Sequence, residues 1–365
     1  MNIEVVADIE GIRYKPYLCK DLNKSIYSIK NIEEALSKEA TFMLKMEENK
    51  SIAVSWWVSP KRTRSYPYAR VYDSLDFIGK KATIIPVMKD EGKDGDRDFL
   101  QWDTISLMSL LGIYTIISYY IRADKHPKYN NKITNQRFDI EHIKRTIREL
   151  LDYQSDALHW NLKQLDNVSE ISNRALDAYQ RISNDLNVKM HSAESIKLRI
   201  KELLKGRDNF IKLSRSLARN AQKRETVTRQ PKEDLGEGKK AAITIRNCLG
   251  GNYYFTCDEI ELKDDDNIVY LIEGKHTATG ILPSLEDIKD GLLKMILYTN
   301  LKNVTINGKQ YRHIPVLKLT TKMDFKGHSL QDLFNSKKYK WIINKLIEEA
   351  NENNFKILLN DIYLN

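Results

Sequence analysis

Between Ile268 and Lys275 the chain reads Ile-Val-Tyr-Leu-Ile-Glu-Gly-Lys, and no other stretch restricts the fold as much. A short apolar run ending in Glu273, Gly274 and Lys275 predicts a central strand, not an amphipathic helix. Side chains alternate along a strand, so Glu273 and Lys275 share one face while Ile272 points to the other. An acid and a base in such a setting cost free energy if they are buried without a partner or a role. Tyr253 to Leu262 reads as the preceding strand, joined through the turn-forming sequence Lys-Asp-Asp-Asp-Asn. Folding back through that turn brings Asp258 alongside Glu273, placing two carboxylates and one lysine around a point. The alternative for the same letters is a surface Glu–Lys pair on an edge strand, an arrangement worth little.

The surrounding pattern is α/β. Glu237 to Leu249 suits a helix ended by Gly250 and Gly251. Ser284-Leu-Glu-Asp287 is a capping-box-like start to a second helix, with Ile288, Leu292, Met295 and Ile296 facing inward. His313 to Thr320 reads as a strand, Leu330 to Glu349 as an amphipathic helix, and Phe355 to Leu364 as a last strand.

Two carboxylates beside a lysine are suited to phosphodiester hydrolysis. A divalent metal polarises the phosphoryl oxygen and lowers the pKa of the attacking water. Magnesium prefers hard oxygen ligands and retains several waters, so one or two carboxylates suffice. A neighbouring lysine can orient the nucleophile or offset developing charge. With Asp258 and Glu273-Gly-Lys275 fifteen residues on, the chain resembles the PD-(D/E)XK nuclease superfamily over roughly residues 235 to 320. The resemblance implies a restriction-endonuclease-like mixed sheet flanked by helices. It implies Asp258 and Glu273 as ligands of Mg2+ (Mn2+ as substitute) and Lys275 as the catalytic lysine. It also maps an accessory acid of the first helix to Glu237. Cys257 stands before Asp258 where the family motif has proline.

The chain carries a second Glu-Gly-Lys at Glu91, with Asp76 at the same fifteen-residue spacing. There the apolar run ends at Met88, and Glu91 falls in a stretch dense in charge and glycine. Loop chemistry is expected, without an enforced side-chain geometry.

Three regions are expected. Residues 1–125 form an N-terminal α/β region, with strands at Ile52–Val58 and Ala82–Met88 and an amphipathic helix at Asn31–Glu48. Ile105 to Ile121 is apolar enough to border on a membrane span, but Ser106, Ser109, Thr115 and Ser118 interrupt it, so a buried core helix is expected. Residues 126–234 read as helical, since apolar residues recur at three- and four-residue steps and neither Gly nor Pro occurs between Lys128 and Lys205. Residues 235–365 form the nuclease-like core.

Lys197 to Lys232 holds twelve Lys/Arg against three acids, an excess equal to the whole chain's net charge of +9. This is either a solvated helix face with a basic linker or a surface tracking phosphates. A second basic segment, Trp56 to Arg70, interleaves Lys61, Arg62, Arg64 and Arg70 with aromatics. These are the candidate DNA contacts, against the alternative of a surface loop with half-buried aromatics. Three widely spaced cysteines (Cys19, Cys248, Cys257) argue against a disulfide framework or a structural zinc site. With an N-terminus lacking an apolar signal core, they suggest the cytoplasm of a bacterial or archaeal cell.

The expectation is therefore a type II restriction-like endonuclease cutting double-stranded DNA as a homodimer, with no membrane association. A structure-selective repair or mobile-element nuclease, and a catalytically silent DNA-binding protein, are the alternatives.

Overall fold

The computed structural model describes residues 3–46, 50–60, 66–192, 194, 239–247, 252–263, 265–321 and 336–365. The basic stretch Lys197–Lys232, together with Lys61, Arg62, Arg64, Glu237 and Cys248, lies outside the described residues. Contacts divide the chain into two compact units. One combines Met1–Lys20 with Leu217–Asn365, and the other is Asp21–Ser216. The strands and helices described between Asp21 and Ser216 fall in one unit, and the first strand, β1 (Ile3–Ile9), falls in the other.

The Asp21–Ser216 unit is built on a five-stranded sheet of β2 (Ile26–Ser28), β3 (Thr41–Lys45), β4 (Ser51–Trp56), β5 (Lys81–Pro86) and β8 (Ile113–Ser118), in the order β2-β3-β4-β5-β8. Strands β4, β5 and β8 run parallel. Ile52, Ala53, Val54 and Ser55 on β4 are all buried, as expected for a parallel strand covered on both faces. The Ser55 hydroxyl is satisfied by donating to Thr83 at 2.8 Å. Helices α1 (Ile32–Lys38), α2 (Pro67–Tyr72) and α3 (Trp102–Leu110) connect these strands. Two hairpins accompany them: β6 (Met88–Asp90) with β7 (Arg97–Phe99), and β9 (Tyr120–Lys125) with β10 (Ile133–Phe138).

Two long helices expected here are shorter. Asn31–Glu48 splits into α1 and β3, because Thr41-Phe-Met-Leu pairs with β4 instead of continuing the helical period. Ile105–Ile121 splits at Gly112, whose φ of +67° turns the chain from α3 into β8. The β-branched run Ile113-Tyr-Thr-Ile-Ile favours that strand. Among the described residues no helix is long and apolar enough to cross a membrane.

The helical part follows the sequence more closely, as α4 (Ile140–Asp152), α5 (Ala157–Asp166) and α6 (Val168–Leu186). Asp139 and Asp156 cap the first two through their carboxylates. The Lys80 ammonium donates to the carbonyls of Leu150, Leu151 and Tyr153 at the C-terminal end of α4, where a cation is favoured.

The other unit contains a nine-stranded mixed sheet. Its members are β1, β11 (Lys239–Asn247), β12 (Asn252–Lys263), β13 (Ile268–Thr277), β14 (Lys302–Ile306), β15 (Lys309–Gln310), β16 (Arg312–Thr321), β17 (Lys356–Leu359) and β18 (Ile362–Tyr363). The order is β15-β14-β1-β11-β12-β13-β16-β17-β18. Helix α7 (Leu285–Tyr298) connects β13 towards β16, and α8 (Lys337–Asn353) precedes β17. Strands β11, β12 and β13 form an antiparallel meander, whereas β16 runs parallel to β13.

The helix expected over Glu237–Leu249 is strand β11. Ala241, Ile243 and Ile245 are buried while the residues between them are not, a period of two that the flanking glycines obscured. Residues 10–20 return across α8. There Tyr14 Oη donates to Glu349 Oε1 at 2.7 Å and the Tyr17 amide donates to Oε2 at 2.9 Å. That pairing accounts for a fully buried glutamate.

Candidate active site

Strand β13 lies between β12 and β16, with Glu273 opposite Leu317 and Lys275 opposite Leu319. It is an interior strand, which excludes the edge-strand alternative for Glu273 and Lys275. Along β12 and β13 the paired register ends at Glu259–Ile272, and the next step brings Asp258 towards Glu273. Strand β12 has an extra residue here, because Ala241 pairs with Cys257 but Lys239 pairs with Ile260. A bulge of this kind re-aims side chains. Asp258 Oδ2 accepts the Gly274 amide at 3.0 Å. The three residues singled out by sequence therefore meet.

Helix α7 completes the cluster. The Ser284 hydroxyl accepts the Asp287 amide, as its capping-box-like sequence predicted. One turn inward, Asp290 and Lys294 are four residues apart and lie on one side of the helix. Lys275 Nζ is 3.0 Å from Glu273 Oε1 and 2.8 Å from Asp290 Oδ2. Lys294 Nζ is 2.7 Å from Glu273 Oε2 and 3.3 Å from the Thr256 carbonyl. Gly291 makes this approach possible, since a Cβ there would stand 2.7 Å from Leu317 Cδ1 and 3.3 Å from Lys275 Cε. Glu273, at 1% exposure, thus has one ammonium on each oxygen.

The two carboxylates respond differently to burial. Burial pushes Glu273 up, but Lys294 and Lys275 outweigh it and hold the group below the ordinary glutamate value. Burial, reinforced by the Glu273 charge, pushes Asp258 up to about 6, with Lys294 and the Gly274 amide offsetting only part of this. Both lysines stay above their ordinary value: burial acts against their charge, yet Glu273 favours it, aided by Asp290 at Lys275 and by Asp258 at Lys294. Burial, reinforced by the neighbouring Asp258 and Glu273 charges, pushes the Cys257 thiol up to about 12, so it is a neutral packing residue.

The donor set suits a small hard cation. Asp258 and Glu273 offer oxygens from adjacent strands, and a magnesium ion needs one or two carboxylates with water completing its shell. Among the described residues no group of three or more His, Cys, Asp or Glu side chains gathers for a metal. Asp258 and Glu273 are the pair that would hold one.

The neighbouring His276 stands apart from this cluster: it follows Lys275 and so lies on the opposite strand face, where Nδ1 is 3.0 Å from Thr320 Oγ1. In the second Glu-Gly-Lys, β6 ends at Asp90, and Glu91 contacts Lys89 at 2.7 Å and Lys132 at 3.3 Å. Gly92 has φ +89°, and both Lys93 and Asp76 are exposed. This copy is a loop, as its composition predicted. Arg70 lies 4.4 Å from the Trp56 ring centroid and donates to the Trp56 carbonyl at 2.8 Å. It packs against Trp56 within its own unit.

Sequence reasoning missed Asp290 and Lys294. A signal was available: Lys294 is the one charge in Leu-Leu-Lys-Met-Ile-Leu-Tyr, a run otherwise suited to a buried face. Comparison with protein-family models, curated proteins and solved structures gives no match to this chain.

Proposed function

We propose that this protein is a magnesium-dependent endonuclease of the type II restriction kind, acting on double-stranded DNA in the cytoplasm as a homodimer. The observation that carries the proposal is a buried, ionised Glu273 on an interior strand, with Lys275 on the same face and Asp258 beside it. Isolated buried charges are disfavoured unless paired, and perturbed groups of this sort concentrate at functional sites.

Asp258 and Glu273 would hold the ion, which supplies Lewis-acid polarisation and an activated water. Asp290 on α7 and Glu273 on β13 both hold the Lys275 ammonium, so Lys275 would be positioned to orient the nucleophile or stabilise charge developing on phosphate. Lys61, Arg62 and Arg64 are retained as candidates from the sequence alone, whereas Glu237 loses the helix on which its accessory role was based, that segment being strand β11.

The test is digestion of a mapped plasmid with Mg2+ or Mn2+, followed by run-off sequencing of the ends. Discrete fragments are expected from the wild type and none from Glu273→Ala or Lys275→Ala, with DNA binding retained. Unchanged cutting by either variant removes the site assignment. Cleavage without discrete fragments would favour a structure-selective nuclease, and tight salt-sensitive binding without cleavage would favour a silent DNA-binding protein.

A further inference from the structure

Strands β9 and β10 form a two-stranded ribbon of their own, outside the five-stranded sheet of their unit. Its base is fixed. Tyr120, Ile133 and Phe138 are buried, the rings of Tyr120 and Phe138 stack with centroids 4.4 Å apart, and Tyr120 Oη donates to the Val58 carbonyl at 2.8 Å. Its outer part is charged. From Tyr120 to Phe138 the chain has five basic residues, Arg122, Lys125, Lys128, Lys132 and Arg137, against one acid, Asp124. Arg122, Lys125, Lys128 and Arg137 are exposed, and the first three form no ion pair among the described residues. Arg122 stands directly opposite Arg137, a like-charge pairing that weakens a hairpin. Such charge does not serve the fold, and it is complementary to a polyanion.

A bulge sorts the side chains of β10. Between the pairs Thr134–Asp124 and Arg137–Arg122, Asn135 and Gln136 occupy two positions where β9 has only Ala123. Gln136 turns inward, donating to the Asp90 carbonyl at 2.9 Å and accepting from Tyr179 Oη at 2.7 Å. Asn135, with φ +49°, is left exposed. Asp124 holds both outward groups: Oδ1 accepts from Arg137 Nη2, and Oδ2 accepts from Asn135 Nδ2 at 3.1 Å. One carboxylate thus fixes a guanidinium and a carboxamide side by side. Asn135 Oδ1 and the other guanidinium donors have no partner among the described residues. These are the two groups whose forked geometry matches the edges of guanine and adenine, and a surface acting by charge alone needs no carboxylate to orient them. The major groove of B-DNA, about 12 Å wide, admits a two-stranded ribbon with strands about 4.8 Å apart.

We propose that the β9–β10 ribbon enters the major groove of double-stranded DNA, with Arg137 and Asn135 reading base edges and Arg122, Lys125 and Lys128 contacting phosphates. This deepens the reading of the protein as an enzyme acting on duplex DNA, and rests on it. Asp124 is a positioning residue: it holds the two readers in place before DNA arrives, although its own charge repels phosphate.

The experiment measures DNA binding by the whole chain through fluorescence anisotropy, with a chelator or Ca2+ in place of Mg2+. Two probes are compared: duplexes that the wild type enriches from a randomised pool, and the unselected pool. The wild type should prefer the enriched duplexes. Arg137→Ala and Asn135→Ala should each lower that preference about 10- to 100-fold. Asp124→Asn should lower it as well, yet bind the unselected pool at least as tightly as the wild type, a separation that a purely structural role would not produce. Replacing Arg122, Lys125 and Lys128 together by Gln should weaken binding to both probes and reduce the slope of log affinity against log salt by roughly 2–3. Unchanged affinity and preference in all these variants overturns the proposal and leaves DNA binding standing, as does a wild type that binds DNA without sequence preference. No DNA binding by the wild type overturns the duplex-DNA reading beneath it.

A measurement on the wild type guards against variants that fail to fold. Methylation of guanine N7, which lies in the major groove, should interfere with binding to the enriched duplexes. Interference only from methylation of adenine N3, in the minor groove, overturns the proposal.

Discussion

Replacing Asp258 by asparagine should stabilise the metal-free protein at neutral pH, although it removes a proposed ligand. The Asp258 carboxyl rises from 3.8 to about 6 because burial and the Glu273 charge oppose its ionisation. The folded state therefore holds a proton that the unfolded state has already released. The contribution of this group is fully present below about pH 4 and is lost as pH rises through about 6. A shift of about two units at ~1.36 kcal/mol each makes the loss about 3 kcal/mol at most. Asparagine has no charge to bury and can still accept the Gly274 amide at the position of Oδ2. Thermal unfolding in a chelator, from pH 4.5 to 7.5, gives the required comparison. The two proteins should unfold together at pH 4.5, and the variant should be more stable by roughly 5–10 °C at pH 7.5. A Tm difference independent of pH, or a variant less stable than wild type at pH 7.5, would refute the reasoning.

Cleavage should depend on the same ionisation with the opposite benefit: metal binding needs the carboxylate, so the rate at limiting Mg2+ should fall about tenfold per pH unit below about 6 and level off above it. A rate flat down to pH 5 would contradict this. Glu273→Gln should lose cleavage and about 3–5 kcal/mol of stability, because Lys275 and Lys294 then face a neutral amide in a buried site; chemical denaturation measures the loss. Gly291→Ala should cost about 1–3 kcal/mol and lower kcat more than it changes KM, since the new Cβ presses on Leu317 and on the stem of Lys275.

The sequence was most informative where local period and burial agree. The strand carrying Glu273, the turn before it and the capped helix at Ser284 were each legible from a few residues, and together they predicted that Asp258 and Glu273 would meet. It was least informative where long-range pairing decides conformation. Ala-Ala-Ile-Thr-Ile between Gly238 and Gly250 satisfies a helical cap pattern, yet β1 and β12 recruit it as a strand. Thr41–Lys45 likewise yields its helical period to β4. Lys294 was missed because an isolated lysine in an apolar helical run cannot be distinguished from one that extends to solvent, unless the position of Glu273 across the helix is known.

The placement of β1 has a consequence for the timing of synthesis. It lies between β14 and β11, with Val5, Ala7 and Ile9 buried, and its register sets Ile3 beside Ala241. A ribosome adding about 5–20 residues per second needs roughly 12–48 s to travel from one of these partners to the other. Throughout that interval an apolar strand is made but has no sheet to join, while the 21–216 segment emerges and can fold around its own core. The sheet that carries the carboxylate cluster can therefore close around β1 only after β11, more than two hundred residues further on, has been made.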